Sequence, residues 1–229
     1  MSQIELAGSP HVQSDQSVPT LLSGPAHPAL PVDETTLHHD RSIRSHLRWR
    51  LEQATSGQTS ARVVEELNIS SGIGRVDMAV LNGVLHGFEI KSERDTLTRL
   101  HSQAAIFSEV MDFVTLVTVE QFQIESMSIV PEWWGVAIAR RQRGVVYFET
   151  VRAPQQNPNV NVDRFLEFLW KDEAYRILEN RGETRGLKSA SKAKLWRRLA
   201  DVIPWPDLHA AVLSTLKTRE PSGPISRRK

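Results

Sequence analysis

Residues 76–91 read Val-Asp-Met-Ala-Val-Leu-Asn-Gly-Val-Leu-His-Gly-Phe-Glu-Ile-Lys, two apolar runs joined by Asn82-Gly83. An Asn-Gly pair between such runs is the strongest short-range hairpin signal, because both residues tolerate the positive φ that a tight strand reversal demands. Residues 76–81 and 84–91 are therefore expected to pair antiparallel. A lone hairpin is marginal in water, so further strands and helices must cover it.

The flanking sequence supplies them. Leu37, Ile43, Leu47 and Leu51 recur at near-helical spacing over 36–53, with arginines between them and Trp49 off the stripe, which predicts an amphipathic helix. Residues 62–69, Arg-Val-Val-Glu-Glu-Leu-Asn-Ile, read as a strand, and Gly72 and Gly74 as the turn after it. Asp95 is placed to cap a helix over 96–111 with Leu97, Leu100, Ala104 and Phe107 on one face. The run 113–119 is too apolar for a half-exposed edge and reads as a central strand. A short helix near 121–128 leads to strands over 133–139 and 144–151, with Trp133 and Trp134 alternating across the first of these, one in the core and one over an edge. Helices follow at 162–180, 192–202 and 207–219, the last capped by Asp207.

This order predicts an α/β fold, a mixed β-sheet flanked by helices and followed by a helical C-terminal region. The expected organisation is an N-terminal arm over 1–34, an α/β core over 35–155, the helical region over 160–220 and a basic tail over 221–229. The arm is rich in Ser, Pro, Gln and His and reads as disordered; His11, His27, His38 and His39 have no companion ligand cluster and are assigned no role.

The 229 residues include no Cys, which removes disulfides, thiolate metal sites and thiol nucleophiles together. Any metal must be held by oxygen or nitrogen. No apolar run approaches the ~20 residues of a membrane helix and the N-terminus has no signal-peptide pattern, so a cytoplasmic protein without membrane association is expected. The net charge of +1 conceals an asymmetry: residues 181–229 carry 12 Lys+Arg against 4 Asp+Glu. A surface of that sign attracts phosphate backbones, and Lys192, Lys194, Arg197 and Arg198 are its candidate nucleic-acid contacts.

Strand alternation puts Glu89 and Lys91 on one face and Phe88 and Ile90 on the other. Asp77 joins the first pair only if the hairpin loop has an odd number of residues. A two-residue loop sets Asp77 opposite Phe88. A three-residue loop over 81–83, with Gly83 in the left-handed position, sets it opposite Gly87 and diagonal to Glu89, leaving space for an ion. Two carboxylates that close repel by ~4 kcal/mol at an effective dielectric of about 20, so one protonates or a cation lies between them. An oxygen-only ligand set points to Mg²⁺ or Mn²⁺. Lys91 beside such a cation is suited to orient a water or to stabilise charge on a phosphate under attack. His86 falls on the Phe88 face and is not expected to act as a base.

An acid-x-Lys triplet arises roughly once by chance in a chain of this composition, so its context carries the signal. Here it ends a strand, with an Asp on the preceding strand, the pair Glu65-Glu66 on the strand before that, and a helix with Gln103 after it. At these residues, over about residues 40–120, the chain resembles the PD-(D/E)XK nuclease superfamily and its restriction-endonuclease-like fold. The text Gly-Phe-Glu-Ile-Lys-Ser-Glu-Arg-Asp-Thr-Leu-Thr-Arg-Leu from Gly87, with Trp133-Trp134-Gly135 downstream, is similar to an uncharacterised bacterial branch. The resemblance implies a Mg²⁺-dependent nuclease hydrolysing phosphodiester bonds, with DNA the expected substrate. Asp77 and Glu89 become metal ligands, Lys91 the catalytic lysine, and Glu66 or Glu65 the upstream acid, with Glu66 preferred because it directly precedes Leu67. Gln103, in a Gln-x-x-x-Phe where some relatives carry Gln-x-x-x-Tyr, becomes a contact to substrate or metal-bound water. Arg99, one turn earlier on the same helical face, is a candidate phosphate contact. The rival readings are a catalytically inactive DNA-binding protein on the same fold and an interaction protein whose basic tail meets an acidic partner.

Overall fold

The computed structural model describes Leu22 and residues 40–219, apart from 59–60, 70–71 and 143–144. The expected N-terminal arm with its histidines, the first turn of the 36–53 helix and the basic tail lie outside the described residues. The elements are α1 (Asp40–Thr55), β1 (Arg62–Ile69), β2 (Gly74–Leu81), β3 (Leu85–Ile90), α2 (Leu100–Val110), β4 (Phe113–Thr118), a 3-10 turn at Glu120–Phe122 entering α3 (Gln123–Ile129), β5 (Gly135–Gln142), β6 (Val145–Arg152), α4 (Val162–Leu166), α5 (Lys171–Glu179), α6 (Lys192–Val202) and α7 (Trp205–Thr218).

The protein is mixed α/β. Among the described residues six strands form one sheet in sequence order, β1-β2-β3-β4-β5-β6. The first three pair antiparallel, β3-β4-β5 run parallel and β6 closes the sheet antiparallel. The parallel steps require crossover helices, which α2 and α3 supply. β4 is central and nearly wholly buried, as its composition demands.

Each face of the sheet has its own core. On one, Ile43, Leu47 and Leu51 of α1 seat against Met78, Val80, Phe88, Ile90 and Val117. On the other, the Leu97-Leu100-Ala104-Phe107 stripe packs with Leu81, Leu85, Leu116, Trp134 and the apolar faces of α4 to α7. Trp134 is fully buried and stacks on Phe107 at 6.0 Å between ring centroids. Trp133 and Trp134 lie in the turn before β5, not on the strand, and Trp133 stays half-buried against that core.

Several boundaries move. Asp95 does not cap α2; its Oδ2 accepts from the Ser92 amide at 2.7 Å and the Ser92 hydroxyl at 2.6 Å, closing a turn of its own. The helix starts later, at Leu100, after Leu97 enters the core. The single helix expected over 162–180 breaks between Leu166 and Lys171, where Phe168 and Leu169 are buried and the Trp170 amide donates to Glu173 at 2.7 Å. α7 begins at Trp205 with Pro204 at its N-cap, so Asp207 lies in the first turn instead of capping it.

The hairpin register is the correction that bears on the site. Leu81 faces Leu85, Val80 faces His86, Ala79 faces Gly87 and Met78 faces Phe88. The loop has three residues, as the site requires, but they are 82–84 and not 81–83. Gly83 takes the left-handed conformation at φ 70°. Leu81 therefore stays fully buried while Val84 is left half-exposed; placing Leu81 in the loop would forfeit ~1.5–3 kcal/mol of side-chain burial. Both registers have the same parity, so residues 78–81 keep their faces, but the alternation breaks at Asp77 and Val76 joins the core of Ala79 and Leu81 instead of that of Met78 and Val80. Gly87 lies opposite Ala79, not Asp77. A Cβ there would stand 3.2 Å from Met111 Sδ and 3.3 Å from Val76 Cγ2, so core, not an ion, fills the space its missing side chain leaves.

Candidate functional site

β2 and β3 part company at Asp77. Their ladder ends at Met78–Phe88, whereas β3 continues to Ile90 against β4. In place of a backbone partner, the Ile90 amide donates to Asp77 Oδ2 at 2.8 Å. The split opens a cleft of about 460 Å³ at the end of the two strands, between α1 and α2. Asp77, Glu89, Lys91 and Gln103 all line it, and so do Glu66 and Arg99.

Glu89 is the deepest acid, 2% exposed, and Lys91 beside it is 3% exposed. Lys91 Nζ donates to Glu89 Oε1 at 2.7 Å and Gln103 Nε2 donates to the same oxygen at 2.5 Å. Glu89 Oε2 and Gln103 Oε1 are both buried with no hydrogen-bond partner. Turning the amide over would set two acceptor oxygens against each other, so the orphaned pair cannot be removed that way. Burial, with the Asp77 charge second, pushes the Glu89 carboxyl up to about 7; Lys91 and Gln103 pull the other way without cancelling it. A buried ion pair seldom repays its desolvation, and one with an orphaned oxygen less so, so the pair is a poor source of stability.

Asp77 is held on both oxygens. Arg44 of α1 donates from Nη2 to Oδ1 at 2.6 Å and from Nη1 to the Asp77 main-chain oxygen at 3.2 Å. Glu66 adopts a left-handed backbone at φ 55°, the one non-glycine residue among those described to do so. The register sets it level with Asp77, yet the ladder skips from Glu65–Met78 to Leu67–Val76. Left-handed strain in a non-glycine residue persists only where its surroundings impose it. Glu66 reaches two arginines, Arg75 at 2.5 Å and Arg44 at 3.7 Å. Glu65 pairs with Arg48 at 2.6 Å and does not line the cleft, so of the two acids it is Glu66 that belongs to it.

Among the described residues no three acids or histidines gather as a metal-holding group. Asp77 and Glu89 are among the four carboxylates that line the cleft, with Glu66 and Asp95, and the orphaned Glu89 and Gln103 oxygens form a donor set suited to a hard dication. The residues present fit Mg²⁺ or Mn²⁺ held by Asp77 and Glu89, with Gln103 beside them. Glu66, the expected third ligand, is engaged by two arginines, as Asp77 is by Arg44.

The cleft lies within a longer stretch of family likeness. Residues 35–223 match the family described as Bacteriophage P4 protein cII. The chain belongs to that family. A curated cII relative, Protein cII of Enterobacteria phage P4, is 31% identical over 126 residues, which make up 55% of this chain and 48% of that protein. The match therefore spans about half of that relative. Among solved structures, the SPO1766 protein of unknown function from Silicibacter pomeroyi aligns with 66% of this chain and 93% of its own at a TM-score of 0.34 and 20% identity, too low to bear on the fold.

In this cII-family chain His86 is a core residue. It stacks on Phe88 at 4.2 Å, its Nε2 lies 2.9 Å from Thr115 Oγ1, and burial pushes its pKa down to about 3. Lys192, Lys194, Arg197 and Arg198 are not brought to the cleft; they lie on α6, where Lys192 covers the Trp196 ring at 4.4 Å and Arg198 pairs with Glu183. Arg44 was not legible as a site residue, since an arginine beside an apolar helical stripe is ordinary. The signal that finds it is tertiary: where α1 sits over β2.

Proposed function

We propose that the protein is a metal-dependent nuclease hydrolysing phosphodiester bonds in DNA, built on a restriction-endonuclease-like fold of the PD-(D/E)XK type and working in the cytoplasm. The observation that carries this reading is the buried Glu89–Lys91 pair beside Asp77, with orphaned acceptor oxygens on Glu89 and Gln103, in a cleft also lined by Arg44, Arg75 and Arg99. Asp77 and Glu89 would hold Mg²⁺ or Mn²⁺, which when bound supplies Lewis-acid stabilisation of charge on phosphate oxygens.

The chain's own groups have separable tasks. Gln103 fixes the Glu89 carboxylate through Oε1. Lys91 Nζ commits one of its three donors to Glu89 and keeps the others to orient a water or steady a non-bridging phosphate oxygen. Arg99, at the N-cap of α2, lines the cleft, and no ion pair or hydrogen bond engages its side chain among the described residues, which suits it to a phosphate. The basic face of α6 offers a second contact to the backbone, away from the reacting group.

The test is cleavage of plasmid, linear duplex and single-stranded DNA in Mg²⁺, Mn²⁺ and EDTA. Lys91→Ala and Asp77→Asn are expected to lower metal-dependent cleavage by at least ~10²-fold, the scale of losing a group that stabilises a transition state. Full activity in folded Lys91→Ala refutes the mechanism. The second reading, a DNA-binding protein that has lost catalysis, is favoured by Arg44 standing on Asp77. DNA binding that persists in EDTA, with no turnover in either metal, decides for it.

A further inference from the structure

Arg44 makes a contact that the nuclease reading does not use. Its guanidinium lies between two acids, 2.6 Å from Asp77 Oδ1 and 3.7 Å from Glu66 Oε1. Both it and Asp77 are largely buried, with side chains 18% and 20% exposed, whereas Glu66 is 46% exposed. Oδ1 carries the Arg44 guanidinium, while Oδ2 accepts from the neutral Ile90 amide that marks the strand split. A dication approaching the carboxylate meets the guanidinium charge, so the arginine and a metal ion compete for it. Glu66, strained into the cleft at φ 55° and already within reach, is the acid to which a displaced guanidinium can pass.

We propose that Arg44 is the resident counter-ion of the acid pair, that it yields Asp77 to an incoming divalent cation by shifting onto Glu66, and that Glu66 is thus a parking acid and not a metal ligand. This rests on the metal-dependent reading of the cleft and deepens it. The move conserves charge in the cleft apart from the cation itself, and the receiving oxygen already lies 3.7 Å from the guanidinium. Arg75, which holds Glu66 from the other side at 2.5 Å, keeps that carboxylate in place to receive it. It also accounts for a strained residue at this point in the strand: an unstrained Glu66 would follow the β1 ladder, whose regular pairs flank it on both sides.

The experiment is Mn²⁺ binding to the full chain without nucleic acid, read as loss of the free-ion electron paramagnetic resonance signal, on wild type, R44Q, E66Q and the double variant. R44Q is expected to bind Mn²⁺ about tenfold more tightly, the scale of removing one competing charge-assisted hydrogen bond. E66Q is expected to weaken binding severalfold, because the carboxylate that receives the displaced guanidinium is then neutral. In the R44Q background the E66Q change is expected to do nothing, and that non-additivity is the signature of the handover. Equal weakening by E66Q in both backgrounds makes Glu66 a ligand and overturns the proposal, as does R44Q binding no more tightly than wild type. Should R44Q fail to fold by circular dichroism, R44K, which keeps a donor for the Asp77 carbonyl but loses the guanidinium fork, carries the same expected sign. D77N is the control: if wild type and D77N take up Mn²⁺ alike, the metal site itself is misread and the handover falls with it.

Discussion

Glu89 makes a prediction that depends on burial and not on any assumed substrate. Its carboxyl rises from an ordinary 4.5 to about 7 in the fold, chiefly through burial. Between those values the folded chain holds a proton that the unfolded chain has released, so stability falls as pH rises through the window. Below about 4.5 both states are protonated and nothing is lost; above about 7 the loss is complete. At about 1.4 kcal/mol per pH decade the total is about 3 kcal/mol, a large part of the stability of most domains. Urea unfolding of wild type and Glu89→Gln from pH 4.5 to 8 isolates it, because the difference between the two curves cancels the other carboxylates. That difference is expected to shrink by about 3 kcal/mol across the range, against wild type as pH rises. The double variant Glu89→Gln, Lys91→Met, which buries neither charge, provides a second reference with the same expected slope. Parallel curves refute the argument that burial governs this carboxyl. Millimolar Mn²⁺ is expected to reverse the fall in wild type alone, since a dication favours the ionised form.

Other perturbations test the frame around the site. Arg99→Ala is expected to reduce the salt dependence of DNA binding by about one phosphate contact and to leave the melting temperature unchanged, measured by fluorescence anisotropy over a salt series. Phe107→Ala removes the fully buried ring stacked on Trp134 and is expected to cost ~3–5 kcal/mol in chemical denaturation. Gly135→Ala places a Cβ 2.8 Å from Thr115 Oγ1 and 2.9 Å from Pro154 Cδ, and is expected to destabilise by ~1–3 kcal/mol. Gly83→Ala meets no atom within 4 Å but must hold φ 70°, so its expected cost is only ~1–2 kcal/mol, with Mn²⁺ affinity unchanged.

Periodicity carried the fold because period survives boundary errors. α2 begins at Leu100, four residues later than the expected 96, yet Leu97, Leu100, Ala104 and Phe107 all enter one core, since a shifted start leaves helical phase intact. The hairpin behaves likewise: moving the loop from 81–83 to 82–84 changes which residues face each other but not which face they occupy. Glu89 and Lys91 therefore keep their common face, whereas Asp77 lies where the alternation of β2 breaks and is held in the cleft by the Ile90 amide and Arg44. The break at 166–171 was not legible, because Phe168 and Leu169 keep an apolar stripe that reads as continuous helix while the backbone turns to bury them.

What phase cannot supply is distance, and the chemistry of this site is a matter of distance. Arg44 and Arg48 lie one turn apart on α1, both adjoining the stripe of Ile43, Leu47 and Leu51. Arg44 reaches Asp77, while Arg48 reaches Glu65 outside the cleft. Their difference is set by how far along the sheet α1 lies, which depends on how Ile43 and Leu47 seat against Met78, Val80 and Phe88. Sliding the helix by one turn, about 5.4 Å, would bring Arg48 towards the place of Arg44 and preserve every apolar contact type. The sequence pattern is nearly indifferent to that slide; side-chain packing is not. The counter-ion of the acid pair is thus chosen by the shape of a hydrophobic contact on the opposite side of the sheet from Glu89, so substitutions in that contact are expected to alter cation affinity without touching the cleft.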